Sequence, residues 1–387
     1  MELKDICQYV SERVATATLT KENYISTENM LPDRGGIVTA SGLPSGNAIA
    51  FSVGDILVSN IRPYFRKIWQ ADKKGGCSAD VLCFRANNNV NRNYLYYLLS
   101  QEKFFDYVMS GAKGCKMPRG DKSQIMQWMV NLPSLEEQQH IASILSALDK
   151  KIELNRRIND NLEQQAQALF KAWFVDFEPF KDGEFVDSEL GMIPKGWRVV
   201  RLGEVTKKVT EKVGNRKDVT VLSPVNSGEL VLSEEYFTKQ VFSKNLSKYL
   251  IVNPFSFAYN PARINIGSIG LNEYDFVGCV SPVYVVFKCE PNYHYFFDFY
   301  KRTAVFKDEV ALRAIGGVRQ SLGYDDFSLI KTIYPTPDVV VEFNNLYLKM
   351  KEVITRNNIQ NNKLTTLRDS LLPKLMSGEL KINNFNR

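Results

Sequence analysis

Histidine is scarce in this 387-residue chain, with only His140 and His294, far apart in sequence, so a histidine-based catalytic centre has few candidates. Six cysteines, at positions 7, 77, 83, 115, 279 and 289, form no CxxC pair. Zinc is therefore not expected, and the thiols read as reduced, buried, small hydrophobes. No apolar run approaches the roughly 18 residues of a membrane span, and the opening MELKDICQYV is too polar for a secretory signal. A GxxxxGK(S/T) phosphate loop is also lacking, and GAKGCK (111–116) reads as a basic loop without the spacing of a nucleotide cradle. What remains is an ordinary globular composition, 44% hydrophobic and 12% aromatic, sufficient for two or three domains and expected in the cytoplasm.

The chain is an internal repeat of about 200 residues. DICQYVSERV (5–14) matches EVTKKVTEKV (204–213) class by class, and Gly76, Cys77, Ser78, Phe84 and Arg85 answer Gly278, Cys279, Ser281, Phe287 and Lys288. Each copy begins with about 130 residues carrying short alternating runs, DILVSNI, ADVLCFR and VYVVFKC, which predict strands. One helical pattern is expected in each, NYLYYLLSQEKFFDYVMSG in the first and HYFFDFYKRTAVFKDEVALRA in the second. The fold class is α+β. The boundaries fall at 1–132 and 196–335 for two globular modules, with helical regions at 133–195 and 336–387.

Each helical region carries a seam with alternating steps of four and three. The first runs Ile141, Leu145, Leu148, Ile152, Asn155, Asn159, Leu162, Ala166, Leu169 and Trp173; the second runs Phe343, Tyr347, Met350, Ile354, Asn357, Asn361, Leu364, Arg368 and Leu371. A helix of this length, roughly 58 Å at 1.5 Å per residue, cannot hide an apolar stripe alone. The two are expected to pair as an antiparallel coiled coil. Asparagines in mid-seam then fix the register by meeting amides across it, the alternative being that they face solvent on a half-exposed helix. The run Phe170, Trp173, Phe174, Phe177 and Phe180 is expected to pack the end of the first helix against a module rather than serve a partner.

Two divergent modules held apart by a rigid rod make a caliper, suited to two DNA half-sites about one turn apart, roughly 34 to 36 Å. Residues 1–132 carry 16 Lys+Arg against 12 Asp+Glu and 196–335 carry 18 against 14, whereas 133–195 carry 7 against 12, so positive charge sits on the modules. The candidate DNA-binding residues lie in loops at equivalent places of the repeat. In module one they are Arg62, Tyr64, Arg66 and Lys67, with Lys113, Lys116, Arg119 and Lys122; in module two, Asn260, Arg263 and Asn265, with Arg319, Gln320 and Tyr324. Their cations suit phosphates and their arginine edges suit guanine. Equal placement with unequal chemistry suggests two different half-sites; for any single side chain the alternative is an ordinary solvated charge.

LPSLEEQQHIASILSALDKKI (132–152), FKAWFVDFEPF (170–180), GMIPKGW (191–197) and LLPKLMSGEL (371–380) together closely resemble the specificity subunit of type I restriction-modification systems, over nearly the whole chain. The resemblance implies two target-recognition domains, each reading one part of a split DNA sequence, and helical regions forming an antiparallel coiled coil that sets the spacing, in a pseudo-twofold, circular arrangement. In it the N-terminus packs close to the C-terminal helix. It implies as partners double-stranded DNA, two methyltransferase subunits and restriction subunits, which would bind S-adenosylmethionine, ATP and Mg. No cofactor, metal or catalysis is then expected of this chain, which has no Asn-Pro-Pro-aromatic motif; NPFS (253–256) and NPAR (260–263) lack the second proline and read as strand-end turns. The second helix departs from the family pattern, entering through VVVEFNNLY instead of an EEQ sequence. The rival expectations are a coiled-coil adaptor that joins proteins without reading DNA, and an enzyme whose site is not visible in the motifs.

Overall fold

The computed structural model describes residues 1–237, 239–314 and 321–380. The chain divides into two compact units, Met1–Arg157 with Asn357–Arg387, and Ile158–Arg356. Each contains one globular module and one end of both long helices.

The strand-rich runs form two four-stranded sheets per module, and the repeat is visible in their pairing. In module one, Cys7–Tyr9, Val81–Ala86, Ile56–Ser59 and Ile68–Gln70 lie side by side in that order, all antiparallel. Module two repeats this with Thr206–Val209, Val285–Cys289, Ser256–Tyr259 and Ile269–Leu271. The second sheets share an unusual feature, a short parallel pair: Tyr24 and Ile25 register with Gly76 and Cys77, as Thr220 and Val221 do with Gly278 and Cys279. The repeated glycine has a steric cause. A Cβ at Gly76 would lie 2.6 Å from Leu19, and one at Gly278 would lie 2.2 Å from Leu222. Strand Leu230–Leu232, beside Thr220–Pro224, is particular to module two's sheet.

The single helix expected in each module is two. Arg92–Leu99 and Glu102–Ser110 replace the first pattern, and His294–Tyr300 and Ala304–Arg313 the second. The apolar positions continue through each break, but Thr303 caps the second piece by accepting from the Phe306 amide, so the chain starts a new helix there. The bend lets both pieces lay an apolar face on the first sheet: Tyr94, Leu98, Phe104 and Val108 are buried in module one, Phe296, Phe297, Phe306 and Val310 in module two. A short helix follows in each, Lys122–Met126 and Tyr324–Ser328.

The first long helix spans Leu135–Phe174, 40 residues, and the second Pro337–Ser377, 41 residues. Ser134 and Glu137 cap the first reciprocally: the Glu137 amide donates to Ser134 Oγ at 3.3 Å and the Ser134 amide to Glu137 Oε2 at 3.1 Å. The second needs no such entry sequence, because proline at its first position is pre-set for a helix. None of the described helices is long and apolar enough to cross a membrane.

Within each unit the long helices pack antiparallel. In the first, Ile141 and Leu145 share a core with Leu372 and Leu375, and Leu3 and Ile6 of the N-terminal segment join it. In the second, Phe170 and Phe174 pack on Phe343, at ring separations of 5.8 and 5.2 Å, and on Phe296 and Trp197. Phe170 and Phe174 are therefore core, and Trp173, Phe177 and Phe180 pack partly buried against it. Asn155 is fully buried and donates from Nδ2 to Asn361 Oδ1 at 2.9 Å and Gln360 Oε1 at 2.8 Å. Asn159, also buried, donates to the Ile354 carbonyl at 3.5 Å. The seam amides meet polar partners across the pair and do not face solvent.

Candidate nucleic-acid interface

In module one the two basic loops, some fifty residues apart in sequence, form one surface. Strand Ile56–Ser59 ends at Asn60, which is buried and stitches the loops together: its Nδ2 donates to the Gly120 carbonyl at 3.1 Å, and the Gly120 amide donates back to the Asn60 carbonyl at 3.3 Å. Ile61 then bridges Arg119, and the Arg62 amide donates to the Pro118 carbonyl at 2.8 Å. Residues 113–119 close on themselves as a hairpin with Lys113 opposite Arg119 and Gly114 in a left-handed turn at φ 100°. Gly120 is required here, since a Cβ would lie 2.6 Å from Val108 and 2.8 Å from Asn60 Oδ1.

The candidates on this surface are not equally available. Lys116 and Lys122 are exposed, and Tyr64 is half-exposed against Phe65 at 4.7 Å between rings. Arg119 pairs with Asp80 at 3.1 Å, Lys113 with Asp121 at 3.3 Å, and Arg66 with Asp33 at 3.0 Å and Glu102 at 3.2 Å. Such exposed pairs stabilise by only about 0 to 1 kcal/mol. They hold the side chains in place and cost little to break. The Gln124 amide, then Lys113 and the Ser123 amide, hold the Asp121 carboxyl below its usual range while it caps the short helix. Arg62 keeps its Nε buried without a hydrogen-bond partner. Lys67, partly buried, is tied to the loop itself: its ammonium donates to the Thr27 carbonyl at 2.7 Å, and burial, then Arg62, lowers its pKa.

Module two builds the corresponding surface with other residues. Asn260, the counterpart of Asn60, accepts the Ala262 amide on Oδ1 at 3.0 Å and donates its own amide to Ser268 at 3.0 Å. The Leu322 amide donates to the Pro261 carbonyl at 3.1 Å, matching the Ile61 to Arg119 bridge. Arg263 and Asn265 are exposed, beside Ile266 at 58% exposure. Gly267 turns the loop at φ 95°, where a Cβ would lie 2.7 Å from the Asn226 carbonyl oxygen. Tyr324, partly buried, donates its hydroxyl to the Thr206 carbonyl at 3.1 Å and packs its ring on Phe327. Arg319 and Gln320 lie outside the described residues.

Residues 1–164 match the family model described as the type I restriction modification DNA specificity domain. Over 309 residues the chain is 28% identical to the MjaIX type I restriction enzyme specificity subunit of Methanocaldococcus jannaschii, covering 77% of this chain and 71% of the relative. It is 25% identical to the HindI type I restriction enzyme specificity subunit of Haemophilus influenzae, across 98% of each chain. The chain is thus similar to type I restriction-modification specificity subunits, and its first 164 residues match their DNA specificity domain. The crystal structure of the type I S subunit from M. genitalium has the same fold, with a TM-score of 0.57 at 15% identity over 97% of this chain and 95% of that one.

The sequence motifs pointed to the loops but missed what positions them. Asn60 was recoverable from the repeat, because it ends DILVSN as Asn260 ends FAYN. Lys301 was not recoverable: it is buried, and its ammonium holds the carbonyls of Gly228 at 2.5 Å and Ile269 at 3.0 Å with Asp298 at 2.7 Å. Lys301 thereby fastens the turn at 226–228 beside the 260–267 loop, yet in sequence it is one lysine among many.

Proposed function

We propose that this chain is the DNA-reading subunit of a type I restriction-modification complex, each module recognising one half of a bipartite, asymmetric site. The observation that carries this reading is the paired stitching: both modules join the loop after the third strand of their first sheet to the loop before a short helix, and then place different side chains there. In module one Lys116, Lys122 and the loosely paired Lys113 and Arg119 contact phosphate, while Arg62 and Tyr64 face base edges. In module two Arg263 and Asn265 do so, with Arg319 and Gln320 on the adjoining loop. The paired helices set the unread spacer.

The chain works without catalysis of its own, in the cytoplasm. Two methyltransferase subunits bring S-adenosylmethionine and restriction subunits bring ATP and Mg, so no cofactor is bound here. The test is co-expression with cognate methyltransferase subunits, followed by single-molecule sequencing to map adenine methylation. One bipartite motif with a fixed spacer is expected. A complex that forms but methylates no motif, and binds DNA without sequence preference, would leave an adaptor instead.

A further inference from the structure

Module one holds four non-glycine residues in left-handed backbone: Asp33, Arg34, Arg62 and Arg66, with φ of 48°, 62°, 50° and 49°. They lie on two loops bonded to each other. The Asp33 amide donates to the Phe65 carbonyl at 3.0 Å, the Arg34 amide to the Arg66 carbonyl at 3.4 Å, and Arg66 Nε to Asp33 Oδ1 at 3.0 Å. Backbone of this kind persists where its surroundings over-determine it, and it clusters at functional loops.

Arg34 carries the connection away from the loops. Its guanidinium, mostly buried, pairs with Asp369 on the second long helix. Asp369 is shared with Arg368 at 2.9 Å, and Arg368 reaches Asp149 on the first long helix at 2.6 Å. Tyr97 of the module donates its hydroxyl to the same Asp149 at 2.7 Å. Arg368 occupies a seam position, where an apolar residue is the rule, and is 9% exposed. Burial raises the pKa of the Asp369 carboxyl, but Arg368 and Arg34 outweigh it and hold the group charged. One ionic network therefore joins a DNA-facing loop to both helices of the same unit.

Module two is fastened differently. There Lys351 of the second long helix pairs with Glu273, in the turn after strand Ile269–Leu271, at the opposite end of that strand from the 260–267 loop. Among the described residues no ion pair joins residues 260–267 to either long helix.

We propose that Arg34 and Asp369 are specificity-determining positioning residues, whose contact fixes where module one's loops stand along the helix pair of their own unit and so sets the number of base pairs between the half-sites. This rests on the DNA-reading function proposed above. Neither residue touches a base, so its loss leaves both half-site sequences intact and relaxes only the distance between them.

The experiment is methylation mapping, with methyltransferase subunits co-expressed, on a library of sites whose spacer varies one base pair at a time. Arg34→Met and Asp369→Asn are each expected to methylate spacers one base pair longer or shorter to within about tenfold of the native spacing, a typical coupling between two sites. Arg34→Lys retains the native spacer, and the exchange of Arg34→Asp with Asp369→Arg restores it. Should Arg34→Met fail to fold, Asp369→Asn carries the test, since that carboxylate is 45% exposed. Variants that methylate the native spacer alone, or that change a half-site, overturn the inference while the DNA-reading function stands. Wild-type protein with no bipartite motif overturns both.

Discussion

The two modules share a pairing scheme and differ in what their cations touch. Across the first sheet of module one, Gln8 faces Arg85, which Asp55 and Glu12 hold at 2.8 Å each. At the same place in module two Lys207 faces Lys288, and neither forms an ion pair among the described residues. Their cores diverge as well. The helix ends of the first unit pack through Ile141, Leu145, Leu372 and Leu375, and those of the second through Phe170, Phe174, Phe296 and Phe343. Backbone pairing is fixed by many hydrogen bonds at once and resists piecemeal change, whereas one side chain can be exchanged at a time for about 1 kcal/mol. The duplicated scaffold therefore stays recognisable while the surfaces that would read DNA drift apart.

The sharpest break of this comparison is at the cores. Phe343→Ala is expected to cost about 4 kcal/mol, because the ring is fully buried among Phe170, Phe174 and Phe299, and Leu375→Ala about 3 kcal/mol. Urea denaturation measures both, and equal losses would erase the distinction between an aromatic and an aliphatic end. The glycines before the short helices give a smaller contrast. Gly120→Ala must displace Val108 and Asn60, so it should cost about 2 kcal/mol and abolish reading of the first half-site only. Gly323→Ala, with nothing within 4 Å of its Cβ, should change stability by less than about 0.5 kcal/mol. Thermal melts and the methylated motif together check the pair.

In the seam, replacing Asn155 and Asn361 together by Leu removes a fully buried amide, whose Oδ1 has no hydrogen-bond partner, and the partly buried amide it donates to. A gain of about 1 to 2 kcal/mol is expected, with loosened register visible as more than one inter-helix distance by double electron–electron resonance. A fall in stability with a single distance would refute the register-fixing role. The last contrast is pH dependence at His294. Burial, then Lys351, pushes its pKa from 6.5 down to about 4. The unfolded chain therefore binds this proton more readily than the folded one, so the contribution is present above pH 6.5 and is lost as pH falls towards 4. His294→Gln should flatten the stability profile in that window, and an unchanged profile would show that other groups govern it.

Much of this was legible from residues. The glycine and cysteine at 76–77 and 278–279 marked a close approach repeated in both copies, and the steps of four and three placed the seam from Ile141 onward. The division of each module helix in two was hidden, because Leu99 and Phe104, or Phe299 and Phe306, satisfy one continuous apolar pattern; in module two a cap at Thr303 marks the break, and in module one no side-chain cap marks it. Asn361 as the partner of Asn155 depended on the stagger of two helices, which neither sequence contains alone. Lys67 and Tyr324 read as surface groups from composition; the carbonyls that their polar atoms find, at Thr27 and Thr206, lie far off in the chain.

The sequence by itself determined the duplication, the α+β class, the two long helices and the polar centre of their seam, because periodicity and repeated residue classes are local properties of a chain. Only the tertiary structure decided which cations are tied to carboxylates, which asparagines meet, and that Arg34 reaches Asp369. Those are distances between residues far apart in the chain, set by how sheets and helices pack, and spacing along a sequence carries no measure of them.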